Sequence, residues 1–170
     1  MPAASYANLR ALVVEDNAHM RALLRSLLHT LGIKNVAEAS DGDTGFAELK
    51  THLPDLILTD LSMTPSDGIT LTKNIRNSQD SPNPYVPIIM VTGHTERPRV
   101  EAARDAGVTE FLAKPITAHN LMARLAEIVE RPRPFVKCAT YFGPDRRRRK
   151  NSDYAGPWRR HDDVTDVEVR

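Results

Sequence analysis

Hydrophobic positions in the first 130 residues of the chain follow two alternating periods. Short, nearly continuous apolar runs, the mark of strands buried on both faces, lie at 12–16, 55–60, 86–92 and 109–113, with a weaker run at 36–39. Between them the spacing changes to three and four. Met20, Leu23, Leu24, Leu27, Leu28 and Leu31 predict a helix stopped by Gly32, and Asp41-Gly42-Asp43 opens a second that reaches Lys50 before Pro54. A third helix is expected over 69–76. A fourth is capped by Thr95, tolerates Pro98 in its first turn and ends at Gly107. A fifth spans 117–130, where Leu121, Met122, Leu125, Ile128 and Val129 form one stripe, and Ser81-Pro82-Asn83-Pro84 marks a turn-rich connection.

Five strand–helix units in succession predict an α/β protein, a doubly wound five-stranded parallel sheet with helices on both faces. In such a sheet ligands bind beyond the carboxyl ends of the strands. Four of the runs deliver polar groups to that edge: Glu15 and Asp16 after the first, Asp60 at the end of the third, Thr92 at the end of the fourth, and Lys114 after the fifth. Three convergent carboxylates without a neighbouring His or Cys suit a hard cation, Mg²⁺ above all. Taken singly, each element has a plainer reading. Glu15-Asp16 fits a helix cap before Asn17, Thr92 an ordinary β-branched strand residue, and Lys114 a solvated strand end. Pro115 makes a cis bond accessible after Lys114, which would aim the lysine inward. Acids, a hydroxyl and an amine at one edge suit phosphoryl transfer, where catalysis is mostly positioning and charge neutralisation.

Glu15-Asp16, Asp60, Met63, Asp67-Gly68, Thr92-Gly93, Phe111 and Lys114-Pro115 stand in an order and spacing that resembles the receiver domain of two-component response regulators, over residues 8–130. The likeness is to the single-domain regulators of chemotaxis, and it implies a (βα)5 flavodoxin-like sandwich. It also implies that Asp60 is a phosphoacceptor, taking a phosphoryl group as an acyl phosphate from a sensor histidine kinase or a histidine phosphotransfer protein. Mg²⁺ would be held by Glu15, Asp16, Asp60 and the backbone carbonyl of Ser62. Thr92 and Lys114 would contact phosphoryl oxygens, and Phe111 would be the switch aromatic. The fourth helix, fifth strand and fifth helix would form the face read by a downstream protein, with a phosphorylation-dependent homodimer as a further expectation. Such a protein would catalyse only its own phosphorylation and dephosphorylation. Ser62 and His94 flank the family's path for attacking water and are expected to tune the lifetime of the acyl phosphate, although His94 reads equally well as a surface histidine. Two departures stand out. The proline of Met63-Thr64-Pro65-Ser66-Asp67-Gly68 comes one position later than in the family's loop, and the connection through 81–84 is longer than usual.

Rival enzymes fit poorly. A dehalogenase-type phosphatase needs a second acid where Ser62 stands, a dinucleotide fold needs a glycine-rich turn after the first strand, and the chain has no Walker-type loop.

Charge divides the chain. Residues 131–170 carry 11 Lys and Arg against 6 Asp and Glu, whereas residues 1–130 carry 12 against 16, so a net charge of +1 conceals an acidic body and a basic tail. Residues 1–7 read as a lead-in. In the tail, Arg131-Pro132-Arg133-Pro134 reads as an extended linker. The partly apolar stretch 135–142 could pair as a strand or dock on a surface. Beyond it come Arg146, Arg147, Arg148, Arg149 and Lys150, then Trp158 before a further pair of arginines. Forty residues with four prolines are too few for a DNA-binding effector of ordinary size. An irregular, solvated extension and a segment docking through arginine and aromatic anchors both remain open. The alternative function is a nucleic-acid-binding regulator whose basic tail is masked or released by phosphorylation, though no base-reading motif accompanies the charge. A single cysteine, Cys138, the absence of a signal-like start, and no apolar run near the roughly 20 residues that cross a bilayer lead to the expectation of a cytoplasmic protein.

Overall fold

The computed structural model describes residues 6–93 and 97–146, and the backbone of 165–167. Among them five strands alternate with five helices: β1 (Arg10–Val14), α1 (Ala18–Thr30), β2 (Asn35–Ala39), α2 (Gly42–His52), β3 (Leu56–Asp60), α3 (Gly68–Asn77), β4 (Ile88–Thr92), α4 (Arg97–Ala106), β5 (Glu110–Ala113) and α5 (Ala118–Glu130). The strands pair in parallel in the order β2-β1-β3-β4-β5. The order reverses between β1 and β3, which makes the space above their carboxyl ends the natural ligand crevice.

Alternate residues of each strand face opposite sides of the sheet, so one strand feeds two cores. Val13, Leu58 and Val91 pack with Leu24 and Leu28 of α1 and Leu121 and Leu125 of α5. Leu12, Ile57 and Ile88 pack on the other face with Leu49 of α2 and Leu71 and Ile75 of α3. This double burial is why β3 and β4 read as unbroken apolar runs. Helix starts are fixed by side-chain caps: Asn17 accepts from the N–H groups of His19 and Met20, Asp67 from Thr70 and Thr117 from Asn120, while Asp41 forms a capping box with Thr44.

Strand boundaries shift by one or two residues, by two at β1 and β4. β1 ends at Val14, which leaves Glu15 and Asp16 in the loop beyond it. β4 begins at Ile88 rather than 86, because Pro87 has no N–H for the ladder, although its carbonyl still accepts from Ile57. The expected Thr95 cap lies outside the described residues. The Lys114–Pro115 and Thr64–Pro65 bonds are cis.

The tail departs from the expected irregular extension over 135–144. There β6 (Phe135–Cys138) and β7 (Tyr141–Pro144) form an antiparallel hairpin, and β8 (Thr165–Val167) pairs with the other edge of β6. Both alternatives for this stretch, pairing and docking, therefore hold. Phe135 is buried, and the Tyr85 ring stands edge-on to both Phe135 and Phe142 at centre distances of 5.2 and 5.3 Å. The preceding segment is no free linker, since Arg133 donates to Glu110 Oε1 at 3.1 Å and to the Asp145 carbonyl at 3.3 Å. The hairpin thus packs where β4 and β5 begin, at the end of the sheet away from their carboxyl termini.

Candidate functional site

Ladder register sets the site. Val14 lies beside Thr59, Asp60 beside Val91, and Thr92 beside Ala113, so the residues that end β1, β3, β4 and β5 come level at one edge. Asp60 is the last residue of β3 and only 5% exposed. Lys114, one residue past β5, places Nζ 3.2 Å from Asp60 Oδ1, and its backbone N–H donates to the Thr92 carbonyl at 2.9 Å. Glu15 is buried just beyond β1, where its backbone N–H donates to Ala39. Asp16 beside it is exposed.

One carboxylate oxygen from each of Glu15, Asp16 and Asp60 lies within 4.8 Å of the others. Glu15 Oε1 accepts from the Asn17 N–H at 3.0 Å, whereas Oε2 is buried without a hydrogen-bond partner. Burial, reinforced by the negative charge of Asp60, pushes the Glu15 carboxyl up to about 7 against the help of the Asn17 N–H. An all-oxygen donor set with one orphaned buried oxygen fits a hard divalent cation, which would satisfy that atom and offset the repulsion.

The loop from β3 to α3 is held closed by sterics as well as hydrogen bonds. Gly68 N–H donates to the Leu61 carbonyl at 3.3 Å, and a Cβ on Gly68 would overlap the backbone carbonyl of Asp60. Asp67-Gly68 is therefore a close-approach device, and the late proline leaves it intact: Asp67 still caps α3 through the Thr70 N–H at 2.8 Å. Thr92 is buried at the end of β4. Phe111 is half-buried against the cluster of Leu61, Met90, Ala103 and Val108.

Sequence reading missed Arg99. From α4 its Nη1 donates to Ser62 Oγ at 2.6 Å and its Nη2 to Asp67 Oδ2 at 2.8 Å, with the Leu61 carbonyl 3.5 Å away. A lone arginine on a helix carries no signal of such a role. Arg146 turns back onto the body, 2.7 Å from Asp105 and with its guanidinium carbon 4.0 Å from the centre of the Tyr141 ring. His94, Arg147, Arg148, Arg149 and Trp158 lie outside the described residues.

The model of the response regulator receiver domain matches residues 11–126. Chemotaxis protein CheY-3 of Vibrio cholerae is 37% identical over 124 residues, covering 73% of this chain and 94% of that protein. Chemotaxis protein CheY of Pseudomonas aeruginosa is 35% identical over 123 residues, 72% of this chain and 98% of that one. Among solved structures, the receiver domain of the sensor histidine kinase PA1611 from Pseudomonas aeruginosa superposes with a TM-score of 0.65 at 28% identity, covering 73% of this chain and 99% of that domain, and contains a magnesium ion coordinated in its active-site cleft.

Proposed function

The chain belongs to the response regulator receiver family, and from that premise we propose that Asp60 is its phosphoacceptor. The observation that carries the assignment is the Lys114 ammonium 3.2 Å from Asp60 Oδ1, inside a cluster of three carboxylates at the switch-point edge of the sheet. A carboxylate that is buried, aimed at the crevice and paired with a cation is placed to act as a nucleophile.

In this reading an Asp60 oxygen attacks the phosphorus of a kinase or phosphotransfer-protein phosphohistidine. The new O–P bond forms as the P–N bond breaks, and the departing imidazole leaves with the electron pair. Glu15, Asp16, Asp60 and the Ser62 carbonyl would hold Mg²⁺, the metal present in the Pseudomonas receiver. When bound, the metal supplies charge neutralisation to the phosphoryl oxygens. Lys114 passes from Asp60 Oδ1 to a phosphoryl oxygen, and the Thr92 hydroxyl donates to another. Movement of Thr92 opens space for Phe111, which connects the site to α4, β5 and α5, the face a downstream protein or a second copy would read. Ser62 and His94 set the hydrolytic lifetime. Residues 8–130 form the receiver and 131–170 an appended tail whose first hairpin docks on it.

No described residue favours the nucleic-acid alternative, since Arg146, the described member of the arginine run, is engaged by Asp105 and Tyr141. Among the described residues no helix is long and apolar enough to cross a membrane.

The test is incubation with acetyl phosphate and Mg²⁺, read by intact mass. One phosphoryl adduct is expected on wild type and none on Asp60→Asn. An adduct that survives in Asp60→Asn would place the acceptor elsewhere.

A further inference from the structure

Arg99 joins three parts of one loop to a helix outside it. Its guanidinium reaches Leu61 and Ser62, which follow Asp60 directly, and Asp67, where the loop closes on α3. Asp67 in turn holds the first turn of α3 with its other oxygen, 2.8 Å from the Thr70 N–H. The planar fork of an arginine spreads these contacts over two nitrogens, whereas a lysine would have to gather all three acceptors around one. The ion pair with Asp67 also offsets the positive charge that Arg99 would otherwise direct at the acidic cluster.

We propose that Arg99 is a positioning residue that fixes Ser62 so that its backbone carbonyl can complete the Mg²⁺ site beside Asp60. This inference rests on the metal site proposed above. Loss of the Arg99 contact would widen the range of backbone orientations that Ser62 samples, and the metal would then have to supply that ordering on binding. With the hydroxyl already engaged by Arg99, that ordering is built into the free protein. Because Arg99 lies in the first turn of α4, any shift of that turn would also be felt at Ser62.

The experiment is Mg²⁺ titration by calorimetry of the full unphosphorylated chain, comparing wild type, Arg99→Gln, Arg99→Lys, Ser62→Ala and the Arg99→Gln/Ser62→Ala double variant. Partners that orient metal ligands typically change affinity by roughly 10- to 100-fold. Arg99→Gln is expected near the low end, with about tenfold weaker binding. Arg99→Lys should be intermediate, and the double variant no weaker than the worse single one, because both remove the same contact. In phosphorylation from acetyl phosphate, Arg99→Gln should raise the Mg²⁺ concentration needed for half-maximal rate while leaving the rate at saturating Mg²⁺ near wild type. A merely structural arginine would lower the thermal midpoint in EDTA without moving either Mg²⁺ measurement, and that result overturns the proposal. So does unchanged or tighter Mg²⁺ binding in Arg99→Gln, or fully additive losses in the double variant. If wild type binds Mg²⁺ but never gains a phosphoryl group, the phosphoacceptor reading fails, while the affinity comparison still decides the role of Arg99.

Discussion

Arg76 on α3 lies with its guanidinium carbon 5.0 Å from the centre of the Phe135 ring on β6. The arginine is 3% exposed, and carbonyl oxygens rather than a carboxylate surround it: Nη1 donates to Pro84 at 2.6 Å and Val86 at 2.8 Å, and Nε donates to Gly107 at 3.0 Å. Burial pulls its guanidinium down to about 9. One side chain thereby ties the entries of β4 and β5 together, and its remaining face is covered by the tail hairpin. Gly107, at φ +107°, allows this fit, because a Cβ there would press on the Phe142 carbonyl and on Arg76 itself.

The hairpin is accordingly part of the folded body. Phe135→Ala should open the aromatic cluster with Tyr85 and Phe142 and admit water to Arg76, lowering unfolding free energy by about 3 kcal/mol, the usual order for a buried phenylalanine. Urea denaturation measures this directly. Mg²⁺ affinity should be unchanged, since the cluster lies at the opposite end of the sheet. A loss below about 0.5 kcal/mol, the range of a neutral surface change, would mean the hairpin only rests on the body.

Much of this was legible in the sequence. Continuous apolar runs alternating with helical spacing pointed to strands covered on both faces, and the polar termini of four of them marked the edge where a site would form. Asp60, Glu15, Asp16, Thr92 and Lys114 are gathered there because parallel ladders bring strand ends level. Contacts without a local pattern stayed hidden. Arg99 meets Ser62 and Asp67 across 37 and 32 positions of chain, and a helical arginine ordinarily reads as a solvated charge. Arg76 likewise resembled the basic last turn of a helix, while its cage is made of backbone carbonyls that composition does not display. The hairpin was half visible. Phe135, Val136 and Phe142 are strand formers, but its turn at Ala139 and Thr140 lacks the glycine or asparagine that usually announces one.

Gly68→Ala tests the steric closure of the β3–α3 loop. The new Cβ would meet the Asp60 carbonyl and crowd Met90 Sδ, 2.9 Å away, so either α3 or the end of β3 must shift. Stability should fall by about 1–3 kcal/mol, as for overpacking generally. Misplacement of the Asp60 carboxylate by even a fraction of an ångström should slow phosphorylation from acetyl phosphate by about tenfold or more. Retention of the wild-type rate would show that the loop can relax without moving the acceptor.

Lys114→Ala should separate two uses of one charge. In the metal-free protein the lysine offsets part of the repulsion among Glu15, Asp16 and Asp60. Its removal should lower the thermal midpoint in EDTA and enlarge the rise that Mg²⁺ produces. The phosphorylation rate should nevertheless fall at saturating Mg²⁺, because the transferred group loses a cation the metal does not replace. Normal phosphorylation at saturating Mg²⁺ would limit Lys114 to charge balance.

Glu15 gives the site a pH dependence whose sign reverses with the metal. Its folded carboxyl sits at about 7, above its ordinary value of 4.5, mainly because it is buried. Below the unfolded value both states hold the proton. Between the two values only the folded state does, so this group's contribution to stability is full in acid and is lost as pH rises through about 7. Without metal, stability should therefore decline from mildly acid to neutral pH, and Glu15→Gln should flatten that decline. Mg²⁺ needs the carboxylate and must displace the proton, so affinity should rise by up to about tenfold per pH unit below neutrality and level off above it. Calorimetry in buffers of different ionisation enthalpy would count the released proton, with close to one expected in mildly acid solution and close to none in mildly alkaline solution. Wild-type Mg²⁺ affinity that is level across this range would mean that Glu15 is already ionised in the free protein, and that the orphaned Oε2 is satisfied by something other than a proton.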